Sequence, residues 1–148
     1  MLQRRTSETG VVYYASPLME AIHVPHAFST RIGGISPMPF ASLNLGNPQG
    51  SPIQDTASNI HRNYQLLAEA AGFAGRQIRR VRQVHGSHIV VASRHDQPRE
   101  DPQADGLITD DEAYVVSVRV ADCVPVLLCT TDGRRVAAVH AGWRGVIA

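Results

Sequence analysis

Two apolar runs near the end of the chain constrain its fold more than any other feature. Val120–Cys129 reads VADCVPVLLC and Val136–Gly145 reads VAAVHAGWRG, with Thr131-Asp-Gly-Arg134 between them. Asp-Gly between β-branched runs is a strong short-range hairpin signal. A turn centred on Asp132 and Gly133 places Thr131 opposite Arg134, Pro125 opposite His140 and Cys123 opposite Gly142. A four-residue loop keeps this register, whereas a three-residue loop with a bulge breaks it. Side chains alternate between faces, so Cys123 and His140 become diagonal neighbours on one face, beside a residue with no side chain. A thiol and an imidazole in that setting make a place where something can bind. Pro125 pulls against the reading, because proline fits strand edges and bulges better than central strands.

The rest of the chain sets the class around this hairpin. A chain of 148 residues reads as one domain, 1–148, able to bury about 70% of its unfolded surface. Its net charge of +1 gives no reason to expect nucleic acid or an acidic partner. The arginines between Arg76 and Arg82 form the one basic cluster and read as solvated surface. Cys123 and Cys129 lie on one predicted strand, roughly 20 Å apart at strand rise, too far for a disulfide. That argues for a reducing compartment, hence the cytoplasm. Met1 to Gly10 is polar, so no signal peptide is visible, and no apolar run approaches the length of a membrane span.

In chain order, Val11 to Tyr14 predicts a short strand, and His26 to Gly34 begins extended and ends in paired glycines. Gly33 to Pro52 has loop composition, with Phe40, Leu43 and Leu45 packing it against the body. Asp55 to Ala71 predicts the one good helix, capped by Asp55 or Thr56 and ended by Gly72. Ile60, Tyr64, Leu67 and Ala71 make its apolar stripe. Ile78 to Val84, His88 to Ala92 and Ala113 to Val120 read as strands, Ser93 to Gln103 as a polar loop, and Ala104 to Thr109 leads to a second polar turn. The balance is strand-heavy, so α+β or mixed α/β.

Three positions carry the chemistry: His85, Cys123 and His140, which sit at strand ends or beside glycine. Two imidazoles and a thiolate suit Zn²⁺, and three protein ligands leave a fourth position for water or substrate. Their spacing matches no compact finger motif, so the fold itself must bring His85 to the hairpin. Each also has a plainer reading: a backbone-bonded histidine, a small buried thiol, a histidine held by a carboxylate. His23, His26, His61, His88 and His95 read as surface or structural. Asp122 faces away from Cys123 on a regular strand and either orients a ligand or pairs with an arginine. Arg31 and Arg144 suit an anion such as phosphate, or plain solvent. Trp143 reads as packing.

Six motifs in order carry a resemblance: Phe28-Ser-Thr-Arg-Ile-Gly-Gly34, Ser42-Leu-Asn-Leu-Gly46, Gln83-Val-His-Gly86, Ala104-Asp-Gly106, Ala121-Asp-Cys-Val-Pro125 and Val139-His-Ala-Gly-Trp-Arg-Gly145. Over about residues 26 to 145 the chain resembles the laccase-domain, or polyphenol oxidase, family, whose members are described as purine nucleoside phosphorylases with adenosine deaminase activity. The resemblance implies a cysteine-hydrolase-like fold of layered mixed sheets flanked by helices. It implies metal ligands at His85, Cys123 and His140, holding zinc, with copper also attached to the family name. Family chains continue well beyond the last motif, so the resemblance implies that a C-terminal part is missing after Ala148, where a helix is beginning.

The function so implied is zinc-dependent phosphorolysis of purine nucleosides (adenosine, inosine, methylthioadenosine), with deamination of adenosine. Cys123, His140 and Asp122 are the expected catalytic residues, and Asp105 is a second candidate carboxylate for moving protons. Arg31, Asn44 and Arg144, inside the motifs, are the candidates for substrate and phosphate. The expected partners are small molecules, with no nucleic acid and no membrane. Three alternatives stand: a cysteine hydrolase or deamidase with Cys123 as nucleophile and His140 as base, a copper-dependent polyphenol oxidase, and a metal-stabilised binding scaffold.

Overall fold

In the computed structural model the described residues are 1–48, 50–93 and 101–147. His95 and most of the Ser93–Gln103 loop fall outside them. The chain is a mixed α+β structure of several small sheets and few helices. It divides into two compact units, Met1–Gly75 and Arg76–Ala148, where the sequence reading takes one domain.

In the first unit, β1 (Gln3–Thr6), β2 (Val12–Ala15) and β3 (Phe28–Ser29) form an antiparallel sheet in that order. Strand β2 matches the expected Val11–Tyr14 run. β1 gave no such signal, because Gln3, Arg4 and Thr6 are exposed and no alternation marks a buried face. A one-turn helix, α1 (Pro17–Ala21), starts at a proline in its first turn, where the missing N–H is no loss. The main helix, α2 (Ala57–Ala71), is capped by the Thr56 side chain, which accepts from the Asn59 N–H at 3.2 Å. It stops at Gly72, whose φ of 79° is left-handed. Tyr64 and Leu67 of the expected stripe are buried, together with Asn63, Leu66 and Ala68. The Tyr13 hydroxyl ties β2 to this helix by donating to the Ala70 carbonyl at 3.0 Å.

The loop between β3 and α2 has no regular structure, yet it is held in place by side chains. Asn63 is fully buried. Its Oδ1 accepts from Ile35 N–H, and its Nδ2 donates to Ser36 Oγ and to the Asn44 carbonyl. Asp55 accepts four hydrogen bonds, from Ser36 Oγ, Asn44 Nδ2, Asn59 Nδ2 and the Thr56 N–H. These bonds, led by the Ser36 hydroxyl, outweigh the effect of burial and hold its pKa at about 2. The loop is thus packed against α2 by polar anchors as well as by buried Leu43.

In the second unit, β4 (Gln77–Arg79) and β7 (Tyr114–Val116) pair in parallel. A four-stranded sheet runs β5-β6-β9-β8, from β5 (Ile89–Val91), β6 (Gly106–Thr109), β9 (Val136–Ala141) and β8 (Val124–Cys129). β5 and β6 are parallel, and the other two pairings are antiparallel. The expected strand over Ile78–Val84 is shorter than its alternation suggests: past Arg79 only a single bridge, Arg82 to Gln103, continues it. Val81, Ala104 and Leu107 form the buried core of this unit, with Val90, Val116 and Val118 packed around them.

The β8–β9 hairpin has the register read from the sequence, with Pro125 opposite His140 and Cys129 opposite Val136. Residues 131–134 form the four-residue loop. Gly133 N–H donates to the Thr130 carbonyl, and Gly133 has a φ of 70°. The Thr130 N–H donates to the Arg135 carbonyl. Ladder pairs alternate from there, so Pro125 and His140 form a pair without mutual backbone hydrogen bonds. β8 is also an edge strand. The proline therefore sits where a missing N–H leaves the ladder intact. A short helix, α3 (Trp143–Ile147), follows β9 directly.

Candidate metal centre

Three elements of the second unit deliver the three ligand candidates. Cys123 immediately precedes β8, and His140 is the penultimate residue of β9. The hairpin register makes them diagonal neighbours. His85 comes from the turn after the Arg82 bridge, with a left-handed φ of 60°. A non-glycine residue in that region is strained and needs support from its surroundings.

The support is Asp105, 1% exposed, at the residue before β6. Its Oδ1 accepts from the His85 N–H at 2.9 Å, and its Oδ2 accepts from the N–H groups of Val84 at 3.2 Å and Gly86 at 2.7 Å. Three successive amides thus converge on one carboxylate, an anion-binding concavity of backbone. The same Oδ1 lies 2.8 Å from Nδ1 of His140. Burial raises the Asp105 pKa, but the His140 bond and the three amides outweigh it, leaving the carboxyl below its ordinary value. Backbone pairing fixes Asp105 as well: its N–H donates to the His88 carbonyl, and its carbonyl accepts from the His140 N–H at 2.7 Å.

The ligand atoms of His85, Cys123 and His140 all lie within 4.8 Å of one another. The two imidazoles meet edge to face, with ring centres 4.8 Å apart and planes at 85°. A tetrahedral ion with ordinary Zn–N and Zn–S bonds sets such atoms about 3.3–3.6 Å apart. Small side-chain rotations therefore close the set around one ion. Gly142 leaves the room: a Cβ there would fall 3.1 Å from His85 Cδ2, 3.4 Å from His140 Cε1 and 3.5 Å from Cys123 Sγ. His140 is buried, Cys123 half-buried and His85 exposed, so the group opens to solvent on one side. Among the described residues it is the only such convergence of His, Cys, Asp and Glu. The donors suit a borderline-soft ion of the zinc or copper kind, and His140 bonded to a buried carboxylate matches the usual support of a metal-ligating imidazole.

The remaining candidates are not among the three converging ligands. Asp122 is exposed, one residue before Cys123. Arg144 is exposed in α3, with its guanidinium 5.3 Å from the centre of the Trp143 ring. Arg31 and Asn44 belong to the first unit. Arg31 donates from Nε and NH2 to the Ala41 carbonyl. Asn44 donates to Asp55 and accepts from the Gly46 N–H. Of the other histidines, His26 accepts from the Ser16 N–H at 2.6 Å and donates to the Val24 carbonyl, and His61 contacts Gln65. Gly145 was given no role in the sequence reading. It brings α3 against the ligand turn so closely that a Cβ there would collide with the Gly86 carbonyl oxygen. Both cysteines are free, and no helix among the described residues is long and apolar enough to cross a membrane.

Known proteins resemble this chain in sequence and in fold. The chain is 38% identical over 133 residues to a purine nucleoside phosphorylase of Deinococcus radiodurans, an overlap of 88% of this chain and 49% of that protein. It is 38% identical over 120 residues to the purine nucleoside phosphorylase YfiH of Escherichia coli, covering 81% and 46%. It therefore spans about half the length of the curated relatives it matches. The crystal structure of YlmD from Geobacillus stearothermophilus superposes with a TM-score of 0.76 at 29% identity, over 96% of this chain and 53% of that one. A Bacillus licheniformis protein, YfiH, superposes at 0.67 with 25% identity, over 96% and 53%. The family model for multi-copper polyphenol oxidoreductase laccases matches residues 25–148, and the chain belongs to that family.

Proposed function

We propose that this chain carries the metal centre of a zinc-dependent purine nucleoside phosphorylase acting on adenosine, inosine and methylthioadenosine, with deamination of adenosine as a second activity. The observation that carries the reading is the convergence of His85, Cys123 and His140. The relatives named as purine nucleoside phosphorylases give it its substrate class. A bound zinc ion supplies an electrophile where charge develops. The protein's part is to hold two imidazoles and a thiolate around one point with one side open. In phosphorolysis a phosphate oxygen bonds to the ribose C1′ as the glycosidic bond breaks and its electron pair leaves with the purine. In deamination exposed Asp122 is the carboxylate proposed to move protons, and Arg31, Asn44 and Arg144 are proposed to serve substrate and phosphate.

Metal counted per chain in purified protein, with turnover of inosine and phosphate before and after chelation, tests the reading. One zinc per chain and turnover that falls on chelation and returns with zinc are expected. Full turnover from metal-free protein would sink it. Copper in place of zinc, with oxidation of phenols, would move the assignment to the oxidase alternative.

A second reading rests on the 2.8 Å contact between His140 and Asp105. Cys123, His140 and Asp105 have the order of nucleophile, base and orienting carboxylate used by cysteine hydrolases. Covalent substrate adducts on Cys123 that persist under chelation would favour it.

A further inference from the structure

We infer that Asp105 is a positioning residue that presets both imidazoles of the metal centre at once, and that it takes no part in proton transfer. The inference rests on the metal reading above and deepens it. An ionised carboxylate has about four lone-pair sites. In Asp105 all four are taken: Oδ1 by His140 Nδ1 and the His85 N–H, Oδ2 by the Val84 and Gly86 N–H groups. With no acceptor capacity left, and with 1% exposure, it has neither a site nor a path for a substrate proton.

The two imidazoles depend on it differently. At His140 the contact to Oδ1 requires a proton on Nδ1, which leaves the Nε2 lone pair for a metal. At His85 the carboxylate holds the backbone, keeping a non-glycine residue at a φ of 60°. Since both tasks fall on the same group, its loss frees one ligand's tautomer and another's backbone together. The Asp105 main chain is itself pinned by the His88 and His140 backbones, so the carboxylate is a fixed reference point. In sequence, Ala104-Asp-Gly106 marks Asp105 only as a motif residue and a candidate carboxylate for moving protons, with no sign that it holds two imidazoles.

The test pairs zinc affinity with the tautomer of His140. Zn²⁺ binding to wild type and Asp105→Asn is measured by competition with a chromophoric chelator, with folding of both checked by circular dichroism. An amide keeps the side-chain shape but lacks a second acceptor oxygen, and a loss of about 10–100-fold in Zn²⁺ affinity is expected. Nitrogen chemical shifts of His140 in metal-free protein should show Nδ1–H in wild type and lose that preference in the variant. A purely structural role would lower the melting temperature and leave the affinity of the folded variant unchanged, which overturns the inference. So does a wild-type His140 protonated on Nε2, a measurement that needs no variant to fold. If wild type binds no Zn²⁺, the metal reading fails, while the tautomer still decides whether Asp105 sets His140.

Discussion

Asp55 and Asp105 are the same device used twice. Each is buried, each accepts four hydrogen bonds with two on each oxygen, and each has its pKa lowered by them. What differs is the donors. Those of Asp55 are a hydroxyl, two amide side chains and a helix-start N–H, none of them a metal-ligand candidate. Among those of Asp105 are one imidazole and the backbone N–H of a residue that carries another, with Cys123 beside them. A buried, saturated carboxylate is therefore no sign of a site by itself. It fixes whatever donates to it, and the chemistry lies in the far end of the donor.

The comparison can be broken first at the ligands. Cys123→Ala removes a donor outright, and its zinc affinity should fall by more than the roughly 100-fold typical of supporting partners. Chelator competition measures this. An unchanged affinity would leave Asp105 with nothing to organise. Next come the two carboxylates. Asp105→Ala leaves three amides and a buried imidazole without their acceptor, at a cost of roughly 3–5 kcal/mol. Its thermal transition should fall and its zinc affinity with it. Asp55→Ala should lower the transition while zinc affinity stays at the wild-type value, so a variant of Asp55 that loses zinc would erase the distinction.

Gly142→Ala sharpens the contrast from the other side, because it changes the room for the metal and neither carboxylate. Its methyl would lie 3.1 Å from the ring of exposed His85, which can turn aside in metal-free protein, so the overpacking of roughly 1–3 kcal/mol falls on the metal-bound arrangement. About a tenfold loss of zinc affinity with a nearly unchanged thermal transition is expected.

The smallest effect is in acid. Asp55 has a folded pKa of about 2 against about 3.9 in an unfolded chain. A depressed carboxyl contributes stability that is fully present above the unfolded value and is lost as pH falls through the folded one. Denaturation midpoints should decline between about pH 4 and pH 2, and less steeply in Asp55→Asn, which has no proton to take up. The Asp105 pKa is shifted in the same direction, so the Asn variant should flatten this decline without abolishing it.

The hairpin was legible in sequence because its information is local. Asp132-Gly133 and the flanking alternation set the register, and the register alone made Cys123 and His140 neighbours. His85 was marked by a motif, but its arrival depends on Asp105, and Asp105 depends on β6 lying beside β9. That contact is long-range and leaves no periodic trace. Asn63 escaped for a related reason. It sits beside the apolar stripe of α2, and only the loop folded over it makes a polar residue there buried and necessary. β1 was missed because three of its four residues are polar or charged and exposed, so its strand character comes from its partner.

A side chain at Gly142 would meet all three prospective ligands, and the next residue is the single tryptophan of the sequence, 67% exposed. An indole so placed is an optical reporter already wired to the site. Filling the cluster places a charge beside the peptide that carries it, so zinc titration should register in its emission without any attached dye.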